Sequence, residues 1–156
     1  MSNCIQIDKN LYLNEYSYKD KEEFNEWYKR FPEPNYQALL IIWNRGIDVY
    51  LIFKKVFIWN INVGFISLID YNKLSNREKE MMEMMQLPRR YNGTFINDMR
   101  ISTFFRHKGI GTKVVTKIFE SKNIYMLDPT EDGKRFWKKF GFEHNKDGKY
   151  AVLDNR

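Results

Sequence analysis

Residues 106–111 read Arg-His-Lys-Gly-Ile-Gly, a spacing that suits the binding of phosphate. Gly109 and Gly111 permit close backbone approach and positive φ angles, and a helix beginning there would point its first N–H groups at an anion. Arg106 and Lys108 add fixed positive charge beside those groups. The stretch therefore predicts a turn that holds a phosphorylated ligand, with an ordinary glycine-rich turn as the alternative.

The flanking segments are those needed to hold such a turn. Residues 95–102 are rich in apolar and β-compatible side chains, which predicts a strand. Apolar side chains then recur at helical spacing through residues 110–119, which predicts an amphipathic helix. The local prediction is a strand, a phosphate-binding turn and a helix, in that order.

A second motif, Phe-Trp-Lys-Lys-Phe-Gly-Phe, follows at residues 136–142. Together the two motifs resemble those of the GNAT superfamily of N-acetyltransferases, which use acetyl-coenzyme A. In that family an Arg/Gln-x-x-Gly-x-Gly/Ala loop binds the pyrophosphate, and a later aromatic motif ends a helix beside the pantetheine arm. The resemblance covers residues 95–142, and upstream it rests only on a compatible order of elements.

The resemblance implies an α/β fold with a mixed, mostly antiparallel central sheet flanked by helices on both faces. A helical insert before the cofactor-binding strand is predicted from the residues, and it departs from the short turn that is usual in the family. In the family that strand is bulged, diverges from its neighbour and binds pantetheine through its backbone, and here it corresponds to residues 98–102. The implied cofactor-binding residues are Met99, Arg100, Ile101, Arg106, His107, Lys108, Gly109, Ile110, Gly111, Thr112, Thr130 and Phe136.

Three side chains are candidates for the general base that takes a proton from an amine acceptor. Asp98 lies on the cofactor strand, Tyr125 stands where some relatives place a catalytic glutamate, and Glu143 follows the Gly-Phe pair. For each of them, a solvated or salt-bridged residue is the competing interpretation.

Trp137 stands where many relatives carry a tyrosine that protonates the departing thiolate. An indole cannot act as an acid in this pH range. A thiol with a pKa of ~8.5 is nevertheless a tolerable leaving group, so the replacement need not abolish activity. Thr130 and Gly133 also depart from the family pattern, which often has Asn and Ala there.

Neither histidine is expected to be catalytic. His107 lies within the glycine-bearing loop, where a solvent-facing position near phosphate is favoured over a role as a base. His144 is expected in a turn. Neither has companions at metal-ligand spacing, so no metal is expected.

The composition indicates a single domain over residues 1–156, in the cytoplasm. The chain has 17% aromatic residues and one cysteine, Cys4, which suit a filled core and a reducing compartment. No apolar run has the length of a membrane span or signal peptide, so no membrane association is expected. The net charge of +6 is spread over isolated basic pairs, which favours attraction of an anionic cofactor over nucleic-acid binding. A monomer or a homodimer is expected.

Upstream, local patterns predict strands at residues 11–16, 49–58 and 63–69, the last two joined as a hairpin near residues 60–62. Gly64 marks a bulge or a close backbone approach. A capping box at Asp20 begins a predicted helix. Residues 36–43 are apolar and ambiguous between helix and strand.

Residues 74–91 form the predicted insert. Ser75 and Glu78 have the spacing of a capping box, and methionines dominate the helix that follows. This adaptable face, together with Arg89 and Arg90, is a candidate wall of the acceptor site. The alternative is a helix packed on the sheet, with its methionines in the core.

The last part of the chain predicts a strand at residues 122–127 and a helix with Thr130 as its N-cap. Gly141 is expected in the left-handed conformation that ends this helix. Residues 142–143 and 150–153 are then expected to form a final hairpin.

These observations predict an N-acetyltransferase that moves an acetyl group from acetyl-coenzyme A to a primary amine by direct attack in a ternary complex. The acceptor is left open between small molecules and proteins. The alternative is a cofactor-binding or protein-interaction module of the same fold, with catalysis weakened by Trp137.

Overall fold

The computed structural model of the chain describes residues 4–15, 47–84, 87–88, 91–144 and 149–156. The predicted helix that begins at Asp20 and the apolar residues 36–43 lie outside the described residues. The same is true of Arg89 and Arg90.

Eight strands form one mixed sheet. They are β1 (Cys4–Asp8), β2 (Leu11–Glu15), β3 (Ile47–Val56), β4 (Trp59–Asp70), β5 (Thr94–Ile101), β6 (Ile124–Leu127), β7 (Glu143–His144) and β8 (Ala151–Asp154). Their spatial order is β1-β2-β3-β4-β5-β6-β8-β7. All neighbouring pairs are antiparallel except β5 and β6, which confirms the predicted mostly antiparallel sheet. The sequence patterns did not predict β1, which has no fully buried residue to mark an inner face.

The hairpin between β3 and β4 turns earlier than predicted. Its turn consists of Phe57 and Ile58, because Val56 pairs directly with Trp59. Phe57 has a φ of 55°, in the left-handed region that a two-residue hairpin turn requires. The predicted turn residues 60–62 instead belong to β4 and pair with β3. The asparagines there were therefore a misleading turn signal.

Three helices and two short 3₁₀ turns complete the described fold. The helices are α1 (Asn76–Met84), α2 (Ile110–Ile118) and α3 (Lys134–Lys138), and the 3₁₀ turns are Tyr71–Lys73 and Thr103–Phe105. The predicted capping box begins α1: the Glu78 N–H donates to Ser75 Oγ at 3.2 Å, and the Ser75 N–H donates to Glu78 Oε1 at 3.2 Å.

The sheet is buried on both faces. On one face, Ile110 and Val114 of α2 share a core cluster with Ile66, Leu68 and Ile96 of the sheet. Side chains that alternate with these along the strands are also buried but lie outside that cluster, as are three residues in and around α1. This second set comprises Phe65, Ile69, Phe95, Leu74, Met82 and Leu87. The alternation along the strands places Phe65, Ile69 and Phe95 on the face opposite to Ile66, Leu68 and Ile96.

The helix after β6 begins later than predicted: its N-cap is Gly133 and not Thr130. Residues 131–133 instead form a turn, in which the Thr130 hydroxyl accepts a hydrogen bond from the Gly133 N–H at 3.0 Å and the Thr130 carbonyl accepts from the Gly133 and Lys134 N–H groups. Gly141 has a φ of 94°. β7 pairs with β8, which confirms the final hairpin, although its turn at residues 145–148 lies outside the described part.

Candidate active site

The most distinctive feature of the sheet is the edge of β5 that faces β6. The two strands pair only at Thr94–Tyr125 and Phe95–Met126, whereas β5 continues to Ile101 along β4. No described strand runs beside residues 97–101 on the β6 side. We call this segment the open edge. An extended ligand with amide groups can bind such an edge as an additional strand.

A β-bulge lies at the start of the open edge. Ser67 pairs with Asp98 and Leu68 pairs with Ile96, so Asn97 is an extra residue in β5. A bulge bends its strand and increases the local twist. The predicted bulge is therefore present, and the pairing of β5 with β6 ends just before it.

A compact loop joins the open edge to α2. The Ser102 N–H donates to the Val63 carbonyl at 2.8 Å, and Arg106 Nε donates to the Ile101 carbonyl at 2.8 Å. His107 and Gly109 have φ angles of 62° and 79°. The Arg106 side chain thus folds back onto the strand end and holds the loop in place.

The loop ends at the N-terminus of α2, where no side chain caps the helix. Gly109 is the N-cap of α2 and has no side chain with which to cap it. The first N–H groups of a helix have no partner within it and carry partial positive charge. Gly109 is exposed, whereas Ile110 buries its side chain in the core. The predicted phosphate site therefore consists mainly of backbone groups.

Lysine 139 adds a cation that the sequence interpretation missed. Lys139 Nζ lies 2.6 Å from Thr112 Oγ1 in the first turn of α2 and 4.5 Å from the centre of the Phe136 ring. The ring contact positions the ammonium group beside the helix start. The sequence feature that points to it is the Lys138-Lys139 pair inside the aromatic motif.

Gly111 lies where the open edge, the start of α2 and α3 come together. A Cβ built on Gly111 would lie 3.4 Å from Phe136 Cζ and 3.5 Å from Met99 Cε. The first turn of α2 therefore touches both the open edge and α3. This contact brings together the predicted cofactor residues Met99, Gly111 and Phe136, with Thr112 one residue further along.

Asp98 is the candidate base that lies on the open edge. Its side chain is 16% exposed, and Oδ1 lies 3.6 Å from Arg100 Nε, which is too long for a hydrogen bond. Burial raises the pKa of Asp98 to about 6, although the Met99 N–H offsets part of the rise. A carboxylate with such a pKa is ionised at neutral pH and can accept a proton.

The other two candidate bases lie in different surroundings. Tyr125 is buried, and its hydroxyl donates to the carbonyls of Ser121 at 2.7 Å and Ile118 at 3.1 Å. These hydrogen bonds tie Tyr125 to the end of α2. Burial raises the pKa of the hydroxyl, which disfavours its ionised form. Glu143 is exposed on β7, three strand positions away from β5. Neither residue lies on the open edge, as Asp98 does.

Trp137 is half-buried in an aromatic cluster. Its ring centre is 4.8 Å from that of Phe136, 5.8 Å from Phe142 and 6.3 Å from Phe140. These contacts give Trp137 a packing role. The loop histidine, His107, and His144 are both exposed.

Among the described residues, no group of three or more His, Cys, Asp and Glu side chains is arranged to hold a metal ion. Within the same ranges, no helix is long and apolar enough to cross a membrane.

Comparisons with known proteins bear on the family and the fold of the chain. The model of the acetyltransferase (GNAT) family matches residues 12–142. The comparison with curated protein sequences gives no match. Among solved structures, AtaTR bound with AcCoA is 10% identical with a TM-score of 0.55, and 95% of each chain is covered. The KacTA–DNA complex is 10% identical with a TM-score of 0.52, covering 99% of this chain and 94% of the other.

A GNAT-family protein from Desulfovibrio desulfuricans has a TM-score of 0.58 at 7% identity, with 94% of this chain and 99% of the other covered. At these identities the structural likeness shows the fold alone. The family match, by contrast, spans most of the chain.

Proposed function

Because the chain belongs to the GNAT acetyltransferase family, we propose that it transfers an acetyl group from acetyl-coenzyme A to a primary amine. The observation that carries the proposal is the open edge of β5, which leads directly into the uncapped start of α2. The edge supplies hydrogen-bonding groups for an extended amide-bearing arm, and the helix start supplies donors for phosphate. The open edge and the helix start are adjacent, as the pantetheine arm and the phosphates are in coenzyme A.

The residues present fit that co-substrate. Lys139 and the N–H groups of Gly111 and Thr112 would hold the phosphates, and Met99 with Phe136 would flank the pantetheine arm. When bound, acetyl-coenzyme A supplies an acetyl group on a thioester. The exposed Cys4 thiol supports a reducing compartment such as the cytoplasm.

Asp98 is the base in this proposal. It stands on the open edge itself and has a pKa raised to about 6 by burial. A proton passes from the acceptor's ammonium group to Asp98, and the freed nitrogen lone pair forms a C–N bond with the acetyl carbon. The C–S bond breaks, its electron pair leaves with the coenzyme thiolate, and the nitrogen gives up its second proton, which can reach that thiolate through water. Both substrates must be bound together for this direct transfer.

The packing of Trp137 supports a reaction without a tyrosine acid. The thiolate of coenzyme A is a tolerable leaving group, since thiols of this kind have a pKa of ~8.5. Water can then protonate it.

The experiment measures thiol release from acetyl-coenzyme A with a panel of amines: a lysine-bearing peptide, a peptide with a free N-terminus, 1,4-diaminobutane and an aminoglycoside. The proposal expects amine-dependent thiol release with at least one of them, and acetyl-coenzyme A should raise the melting temperature. A melting shift without thiol release would favour a cofactor-binding module. A well-folded protein with no melting shift at millimolar cofactor would overturn the proposal.

A further inference from the structure

Asn97 and Asp98 are consecutive residues that present their side chains to the same side of β5. Asp98 pairs with Ser67 across the sheet, and Asn97 Nδ2 donates to Ser67 Oγ at 3.3 Å. In a regular strand, neighbouring side chains point to opposite faces. The bulge at Asn97 breaks that alternation and brings both side chains to Ser67, which is completely buried.

Each of the two side chains has one buried oxygen that accepts no hydrogen bond. These atoms are Asn97 Oδ1 and Asp98 Oδ2, and neither has a partner among the described residues. Their sister atoms are engaged, since Asn97 Nδ2 bonds to Ser67 and Asp98 Oδ1 faces Arg100 at 3.6 Å. Buried acceptor atoms in folded proteins are normally satisfied. Two adjacent ones therefore call for a donor that the described chain does not supply.

The two oxygens lie at the right place for the acceptor. Met99 and Ile101 pack against the core cluster that contains α2, so alternation directs Asp98 to the other face. Met99, the next residue, touches the start of α2 beside Phe136, as its distance to Gly111 indicates. The oxygens are thus one residue away from the proposed cofactor groove and on the opposite side of the same strand.

We propose that Asn97 Oδ1 and Asp98 Oδ2 together receive the ammonium group of the acceptor, which binds in its protonated form. This inference rests on the proposed acetyl transfer. An ammonium group has three donors and no acceptor, so two of its N–H bonds satisfy the two oxygens. A hydroxyl group has one donor and leaves one oxygen without a partner, and a methyl group leaves both.

The arrangement makes the acceptor a cationic primary amine and gives the two residues distinct roles. Asp98 accepts the proton that must leave before the nitrogen attacks. Asn97 orients the ammonium group without taking a proton, and Ser67 fixes the Asn97 amide. Among the described residues, the Arg100 side chain lies on the Oδ1 side of Asp98, and Oδ2, which is buried, has no hydrogen-bond partner.

The test uses the protein loaded with coenzyme A, which lacks an acetyl group and prevents turnover. The probes are a lysine peptide with its norleucine counterpart, and 1,4-diaminobutane with 1,4-butanediol. We expect the ammonium member of a pair to bind at least tenfold more tightly, because a site built to hydrogen-bond a polar group rejects analogues that lack it. Equal affinity within both pairs, or no binding of any probe while coenzyme A binds, would overturn the inference.

Two variants separate recognition from structure. Asn97→Leu removes the oxygen and should reduce the preference for ammonium to less than threefold, while the melting shift with coenzyme A stays as in the wild type. Asn97→Asp retains an oxygen at the same place and should restore the preference. If Asn97→Leu keeps the preference, Asn97 does not bind the acceptor. Failure of coenzyme A itself to bind any folded form would instead count against the proposed function.

Discussion

A Cβ atom built on Gly64 would lie 1.9 Å from the carbonyl oxygen of Arg100. Real Cβ atoms do not approach other atoms so closely, and the obstacle here is backbone that cannot rotate away. β4 and β5 can therefore come together at this point only because residue 64 lacks a side chain. The open edge of β5 owes its position to a residue on the neighbouring strand.

We expect Gly64→Ala to destabilise the protein by about 3 kcal/mol, since the two strands must separate to admit the methyl group. The displaced edge should also weaken the melting shift given by acetyl-coenzyme A. Gly109→Ala is the control, because a Cβ there meets nothing within 4 Å. Its left-handed φ should cost only about 1 kcal/mol. Equal losses in the two variants would contradict the close-approach argument.

Gly111 tests the phosphate site at the start of α2. A Cβ at Gly111 makes ordinary contacts of 3.4–3.5 Å with Phe136 and Met99, so Gly111→Ala should fold normally and retain most cofactor binding. Gly111→Glu adds bulk and negative charge and should abolish the melting shift with acetyl-coenzyme A. If the glutamate variant is stabilised by the cofactor as much as the alanine variant, the phosphates bind elsewhere.

Asp98 should control the pH dependence of the reaction. Because its folded pKa is about 6, kcat/KM should rise with pH through that value and level off as the carboxylate becomes fully ionised. Asp98→Asn should lower kcat/KM by about 10²–10⁴-fold and remove this rise. A wild-type profile that persists in Asp98→Asn would assign the base to another group.

The Asp98 carboxylate should also make the stability of the fold depend on pH, in the direction opposite to that of kcat/KM. Its pKa is raised from 3.8, so between the two values the folded protein holds a proton that the unfolded chain has released. Stability therefore falls as pH rises through this window. Asp98→Asn should gain about 1–2 kcal/mol at neutral pH and little at pH ~4, as measured by denaturant titration. If Asp98→Asn is less stable than the wild type at neutral pH, other groups offset the cost of burying the ionised Asp98 carboxylate.

A Trp137→Tyr variant tests whether Trp137 acts only in packing or whether the absence of a tyrosine acid limits the reaction. We expect Trp137→Tyr to lose about 1 kcal/mol of stability, because the smaller ring leaves a gap beside Phe142 and Phe140. We expect no gain in turnover. A faster variant with unchanged cofactor affinity would show instead that proton delivery to the thiolate limits the wild-type enzyme.

The insert between β4 and β5 can be tested by replacing residues 81–91 with a short Gly-Asn turn. The exchange removes the buried Met82 and Leu87 and the hydrogen bond from the Tyr91 hydroxyl to the Ile124 carbonyl at 2.7 Å. Stability and cofactor binding should therefore fall together. A folded variant that keeps its cofactor affinity but changes its acceptor preference would support the insert as a wall of the acceptor site.

Met84 supplies the matched surface variant for that experiment. It is 85% exposed, so Met84→Lys should leave the melting temperature nearly unchanged. An altered acceptor preference in Met84→Lys would also support the wall. Intact transfer with unchanged preference in both variants would eliminate it.

Several features of this protein could be predicted from its sequence because short-range physics decides them. The capping box at Ser75, the left-handed Gly141 and the glycines around residue 110 each follow from the conformations open to neighbouring residues. The helical spacing after Gly109 and the apolar, β-compatible composition of residues 63–69 and 95–102 required no knowledge of distant contacts. The family resemblance rested on these same local motifs.

The remaining features depend on how distant segments pack. The hairpin turned at Phe57 because the pairing of β3 with β4, and not the asparagine content of residues 60–62, set the register. Tyr125 became a buried link to α2, and Lys139 reached Thr112, through contacts between separate elements. Most importantly, the bulge that aligns Asn97 with Asp98 is a property of the pairing between β4 and β5. Side chains on consecutive strand residues normally diverge, so only the tertiary structure could place these two oxygens together.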